Sequence, residues 1–283
     1  MSKDDTIANP EFGPVHIINP QSRHTRTAIV LHGRGSNGQE FADEFFSSHL
    51  SGDKPLASAL PGWRWVFPSS PSLWSTTFQE IIPAWFEARS LTDTTARQDL
   101  QTNGIAASVR YIQILIDEEV ARLDGNASHV LLGGISQGAA VGIWTLLCPG
   151  PARGIGAFFG SSTWLPFAAN IERALLQATA DASTEPTPGE DESDTFVRGM
   201  MTLGGQPQGE ASAMKILLGH GDDDAYVDIT LGRQARNVLS KAGFIVEWKE
   251  YSGAEEEGHW FKVPDQMDDI YQFIQQTYSD EGE

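Results

Sequence analysis

The run His129-Val130-Leu131-Leu132 leads straight into Gly133-Gly134-Ile135-Ser136-Gln137-Gly138, and residues 138–147 that follow are almost all small or apolar. A short aliphatic run reads as a buried strand and the longer stretch after it as a helix. Between them the chain must reverse within a few residues. Glycines on either side of Ser136 leave room for a sharp strand-to-helix turn, which would hold the serine hydroxyl above a sheet edge at the positive end of a helix. Such a turn needs an architecture in which strands feed helices.

The rest of the chain repeats that alternation. Val15-His16-Ile17-Ile18, Ala28-Ile29-Val30-Leu31, Arg64-Trp65-Val66-Phe67, Gly156-Ala157-Phe158-Phe159, Met214-Lys215-Ile216-Leu217-Leu218 and Phe244-Ile245-Val246-Glu247-Trp248 read as further strands. Residues 104–123 carry Ile105, Val109, Ile112, Leu115, Ile116 and Val120 on one helical stripe. Residues 231–242 and 266–278 also read as helices. Repeated βαβ units predict an α/β fold with a mainly parallel central sheet and helices on both faces. With 283 residues, 40% of them hydrophobic, the chain suits one such domain over 1–283. Residues 178–212 break the pattern. Their stretch 181–194 holds six carboxylates and no basic residue, and is expected to be a flexible surface insertion, with 1–10 and 279–283 as frayed ends.

Charge narrows the partners. Against 19 bases stand 38 acids, a formal net charge of −19, so a nucleic-acid backbone or an anionic membrane surface would be repelled by most of the protein. No apolar run is long enough to span a bilayer, and the first thirty residues lack a basic patch followed by an apolar stretch. A cytoplasmic protein without membrane insertion is expected, its oligomeric state open. The lone Cys148 lies in an apolar run and cannot form an internal disulfide, so it reads as a buried, inert thiol. The histidines form no pattern suited to a metal.

A serine hydroxyl needs a histidine to accept its proton and an acid to orient that imidazole. In α/β-hydrolases these follow the serine in the order acid, histidine, each on a loop after a later strand. Ile216-Leu217-Leu218 is followed by Gly219-His220-Gly221-Asp222-Asp223-Asp224, and Val246-Glu247-Trp248 by a loop that ends at His259. His259 is the candidate base. Chain order alone leaves Asp222, Asp223 and Asp224 open as the acid, and makes His220 a structural partner of that loop. Leu31-His32-Gly33-Arg34-Gly35 supplies an early glycine loop. Arg34 N–H from that loop and Gln137 N–H after the nucleophile are the candidate oxyanion donors. Neither metal nor cofactor is called for.

These stretches resemble the acyl-protein thioesterase and carboxylesterase group, the phospholipase/carboxylesterase family of α/β-hydrolases. The resemblance rests on Leu31-His32-Gly33-Arg34-Gly35, Pro83-Ala84-Trp85-Phe86, the Gly133–Gly138 elbow with its glutamine, Ser162-Thr163-Trp164-Leu165-Pro166, and His220-Gly221-Asp222-Asp223-Asp224. Its acid-loop pattern implies Asp224 as the acid, completing Ser136, His259 and Asp224. It implies a hydrolase of esters or thioesters acting on a small ester or an acylated substrate, S-acylated protein included. The segment before Pro83 would border the acyl site, with Leu73, Trp74, Phe78, Trp85 and Trp164 as candidate substrate-binding residues. The competing reading is a hydrolase fold recruited for a binding or non-hydrolytic role, for example on a specialised metabolite.

Overall fold

The apolar runs pair side by side. In the computed structural model, residues 10–180, 191–201 and 214–278 are described, and among them seven strands form one sheet. Its order is β1 (Gly13–Ile18), β3 (Trp63–Ser69), β2 (Arg26–Leu31), β6 (Val130–Ile135), β7 (Ala157–Ser161), β8 (Lys215–Gly221) and β9 (Ile245–Tyr251). β1 runs antiparallel to β3, and every other pairing is parallel. The mainly parallel α/β sheet expected from the sequence is present. β2, β6, β7 and β8 are buried almost without interruption, as a sheet covered on both faces requires.

Successive side chains of a strand point to opposite faces, and two apolar layers result. Ile29, Leu31, Leu132, Phe158 and Leu218 face a layer built by α3 (Thr102–Arg122), α4 (Ser136–Leu147) and α7 (Ile229–Lys241). Val30, Phe67, Leu131, Phe159 and Leu217 face α1 (Gly38–Ser47) and α8 (Asp265–Tyr278). α1 is absent from the sequence reading, although its signal was there. Asn37 accepts from the N–H groups of Gln39 and Glu40 at 3.1 and 3.0 Å, and Phe41, Ala42 and Phe45 are buried behind it.

The strand order decides where a site can sit. From β2 the chain crosses to β3 on one side, while β6 lies on the other side of β2. Loops leaving the carboxyl ends of β2 and β6 therefore diverge and open a crevice between them. Leu31 pairs with Gly134 across that junction, so the glycine loop and the serine turn emerge together.

One expectation is corrected. Residues 191–201 of the acidic insertion are no solvated loop: α6 (Glu192–Met200) lies against α5 (Ala168–Ala180) and the core. Asp191 caps α6 by accepting from Asp194 N–H at 2.8 Å, and the Asp194 carboxylate binds Arg173 and Asn170. Phe196 packs on Trp144 and Phe167 with ring centroids 5.5 and 5.0 Å apart, and Val197 is fully buried. The acids dominate the composition, yet Phe196 and Met200, four residues apart on one face, pack on the core together with Val197 and Met201 and dock the short helix. Residues 178–180 of the insertion end α5, while 181–190 and 202–212, like the expected frayed ends short of residue 10 and past 278, lie outside the described residues. Phe196→Ala should lower unfolding free energy by about 2 kcal/mol in urea titration, less than a fully buried phenylalanine because Phe196 is half-buried. A loss under about 0.5 kcal/mol would show that α6 does not support the core.

Candidate active site

Ser136 opens α4 with φ of +54°, a left-handed conformation that a side chain rarely adopts. The surrounding backbone imposes it. A Cβ on Gly138 would lie 2.4 Å from the His32 carbonyl oxygen and 2.5 Å from that of Leu31, and one on Gly134 would meet Leu31 O at 2.8 Å and Ala139 N at 2.9 Å. Glycine is the only residue that fits either position. Thr163 Oγ1 donates to Ser136 O at 2.8 Å and ties the turn to the loop after β7. Ser136 retains 7% exposure at the C-terminal edge of the sheet.

Gln137 holds a second segment in place. Its Oε1 accepts from Trp85 N–H at 2.9 Å, and its Nε2 donates to Phe86 O at 2.7 Å. Its own N–H lies in the first turn of α4, where no intrahelical acceptor exists. His32 organises the neighbouring loop: Nδ1 donates to Gly33 O at 2.6 Å, and Nε2 accepts from Ser70 N–H at 3.0 Å. Burial lowers the His32 pKa to about 4 against a backbone bond that opposes it, so the ring stays neutral in that role. Trp85 Nε1 donates to His32 O at 2.9 Å.

At the far side of the crevice the acid and histidine loops meet. The Asp224 side chain is wholly buried and the His259 ring almost so. His259 Nδ1 donates to Asp224 Oδ2 at 2.8 Å and lies 3.0 Å from Oδ1. Asp224 Oδ1 also accepts from the N–H groups of Tyr226 and Val227, both at 2.9 Å. His220 Nε2 donates to Val227 O at 2.8 Å and lies 3.4 Å from Asp224 Oδ2, the structural partnership expected of it. Burial by itself would raise the Asp224 pKa. Hydrogen bonds from His220 and His259, the attraction of a charged His259 and the Val227 amide outweigh it, and the carboxyl is held well below its ordinary range.

Of the three candidate acids only Asp224 reaches His259. Asp222 accepts from Ser252 Oγ at 2.7 Å and Asp223 from Gly253 N–H at 2.9 Å, both on the exposed flank of the loop. The histidine loop is bent hard to get there, through Glu256, Glu257 and Gly258 with φ of 50, 53 and 83°.

The five substrate candidates separate into two groups. Leu73 and Trp74 sit in β4 (Ser72–Ser75), which pairs antiparallel with β5 (Glu80–Pro83), and Phe78 is in the turn between them. Trp74 and Phe78 are each 52% exposed, and Ile81, opposite Trp74, 68%. Trp85 and Trp164 are instead core residues, 0 and 3% exposed. Trp85 is clamped between Gln137 and His32, and Trp164 packs edge-on to Phe86 at 6.0 Å. Neither offers a face to a ligand, which corrects the expectation for both. Thr163, His32 and the Gln137 side chain escaped the sequence reading as working parts, because their partners lie 27 to 53 residues away.

The model of the phospholipase/carboxylesterase family matches residues 13–189. The chain belongs to this family. The matched stretch contains the serine turn and the glycine loop, while Asp224 and His259 lie beyond it. Acyl-protein thioesterase 1 of Schizosaccharomyces pombe is 35% identical over 167 residues, 58% of this chain and 67% of the relative. Acyl-protein thioesterase 1 of Gibberella zeae is 26% identical over 269 residues, 89% of this chain and 91% of the relative. In three dimensions the chain is similar to the crystal structure of Zea mays acyl-protein thioesterase 2. The TM-score is 0.66 at 24% identity, covering 94% of this chain and 99% of that one. Like its family, the chain is a hydrolase of carboxylic esters or thioesters with the α/β-hydrolase fold. Among the described residues no helix is long and apolar enough to cross a membrane.

Gln137→Ala would leave the buried Trp85 N–H and Phe86 C=O without partners, and should cost about 2–4 kcal/mol in urea unfolding. A loss under about 0.5 kcal/mol would mean that packing alone holds the segment. The depressed Asp224 pKa stabilises the fold at pH values above the unfolded carboxyl pKa of about 4, and this contribution is lost as pH falls below it toward the folded value. Between pH 6 and 2, wild-type stability should fall more steeply than that of Asp224→Asn. Parallel curves would refute the linkage.

Proposed function

We propose that Ser136, His259 and Asp224 form a catalytic triad that hydrolyses acyl esters or thioesters through an acyl-enzyme. The observation that carries this reading is the buried Asp224–His259 pair, held at the same carboxyl edge of the sheet as the left-handed Ser136. With Nδ1–H given to Asp224, the lone pair of His259 rests on Nε2. Ser136 Oγ attacks the carbonyl carbon and passes its proton to that nitrogen. The oxyanion is held by the N–H groups of Arg34 and Gln137, fixed dipoles that need no reorganisation. As the tetrahedral intermediate collapses, the C–O or C–S bond breaks and His259 returns the proton to the leaving alcohol or thiol. Water then attacks the acyl-serine, giving its proton to His259, and the carboxylic acid leaves as Ser136 regains its hydrogen.

An acylated substrate, S-acylated protein among them, fits the names borne by the relatives. The exposed Trp74, Phe78 and Ile81 of the β4–β5 hairpin, with Leu73 behind them, supply an apolar surface for the acyl chain. Comparing kcat/KM for long-chain acyl thioesters and short 4-nitrophenyl esters tests that part, and a preference of at least about tenfold for the long chain is expected.

A fluorophosphonate probe should label the folded protein at Ser136. Ser136→Ala should abolish labelling and lower kcat by about 10⁴-fold or more. Turnover retained in that variant, or a folded wild-type protein that does not react, would sink the mechanism.

A further inference from the structure

Arg34 has a role on offer besides its backbone N–H. Its side chain leaves the loop after β2 and runs under the β4–β5 hairpin, where Gly35 N–H donates to Pro83 O at 2.8 Å and clamps loop to hairpin. There the guanidinium lies 5.1 Å from the Phe78 ring centroid, on its face. Its described hydrogen bond is one long contact of 3.4 Å from Nη1 to Ala88 O. Among the described residues no carboxylate pairs with it. Glu87 borders the same crevice, but its carboxylate accepts from Thr76 N–H at 2.8 Å. Arg89 points away, donating to Thr76 O from an exposed position.

A half-buried guanidinium without a counter-charge is unusual in a chain with twice as many acids as bases. Five other arginines here are paired with carboxylates. Arg64 and Arg122 share Glu119, Arg233 holds Glu250, Arg173 holds Asp194, and Arg97 holds Asp99. Desolvation with no compensating carboxylate disfavours the cation and lowers its pKa, though a guanidinium stays charged at neutral pH. A cation left unpaired in a crevice is poised to accept an anion. A guanidinium presents five N–H donors in a planar fork that matches a carboxylate or phosphate, and its contact with the Phe78 ring takes up none of them in a hydrogen bond. The segments that line the crevice are tied to the serine turn. The crevice wall contains Ala84 and Phe86, whose segment is bound by Gln137, and a Cβ on Gly33 would lie 3.5 Å from Ser136 Cβ.

We infer that the Arg34 side chain is a specificity determinant, binding an anionic carboxylate or phosphate group carried by the ester or thioester that Ser136 cleaves. The inference rests on the esterase reading above. The net charge of the protein repels anions at long range, so the preference must come from this short-range contact and should weaken with salt.

The test is kcat/KM on matched 4-nitrophenyl esters: the glutarate half-ester, its neutral methyl ester, and the 4-phosphonobutyrate. Wild-type protein should favour an anionic ester over the neutral one by about 10-fold or more, the scale of a charge-assisted hydrogen bond. The half-ester leading points to carboxylate, the phosphonate leading to phosphate. Arg34→Gln, which keeps the backbone N–H, should lose about 10- to 100-fold on the favoured anion, mainly in KM, and clearly less on the neutral ester, so that the anion preference collapses. Arg34→Lys should recover part of that loss, and 0.5 M NaCl should shrink the wild-type preference. Equal losses on charged and neutral esters would make Arg34 a structural support of the hairpin and overturn the inference, as would a wild-type preference for the neutral ester. Fluorophosphonate labelling of each variant separates the two readings. Labelled wild-type protein that turns over the neutral ester without anion preference defeats only this inference, whereas unlabelled folded wild-type protein defeats the esterase mechanism itself.

Discussion

The carbonyls of Leu31 and His32 press so closely on the turn between β6 and α4 that neither Gly134 nor Gly138 could carry a Cβ. Much of the carboxyl edge of the sheet depends on that contact. It exists because β2 and β6 are neighbours at the point where the strand order reverses. It compels Ser136 into the left-handed region at a cost of about 1–2 kcal/mol, which the wholly buried α4 and the bond from Thr163 offset. With α4 anchored, Gln137 can reach across to Trp85 and Phe86, and Trp85 in turn bonds the carbonyl of His32. Serine turn, glycine loop and the 83–88 strip thus form one interlocked unit around the crevice.

The two ends of the sheet treat buried carboxylates differently. At the amino end Glu119, 5% exposed, accepts from Thr27 and Arg64 and pairs with Arg122, which straps α3 to β2 and β3. Its charge is neutralised by groups that stay charged at any ordinary pH. At the carboxyl end Asp224 has no arginine or lysine partner among the described residues. Two backbone N–H groups and two histidines surround it instead. A buried carboxylate satisfied by neutral donors and an imidazole stabilises positive charge on that imidazole when a proton arrives. The first arrangement is a strut. The second can gain and lose a proton, which is the chemistry that the proposed triad asks of it.

The residues of the proposed triad were more legible in the sequence than the surfaces around them. Ser136 is flanked by glycines and by strong strand and helix patterns, all within ten residues, and His259 followed from chain order. Trp85 and Trp164 misled because an aromatic residue in a family motif serves equally as core or as substrate wall, and burial decides which. α6 was hidden by composition. Its acids drew attention away from Phe196, Val197, Met200 and Met201, which dock it. The β4–β5 hairpin, too short to show a period, emerged only from its pairing.

What the sequence determined by itself is the set of local periods and turns: which runs become strands, which stripes become helices, and where glycine permits a left-handed serine. These depend on residues a few positions apart, so one dimension suffices. Tertiary structure decided which of Asp222, Asp223 and Asp224 meets the imidazole, which tryptophans are covered, and that no carboxylate among the described residues pairs with Arg34. Each of these turns on parallel pairing between strands separated by tens of residues, β8 with β9 and β2 with β6. The register of that pairing, set by burial on both faces of the sheet, determines which side chains arrive at the same point in space.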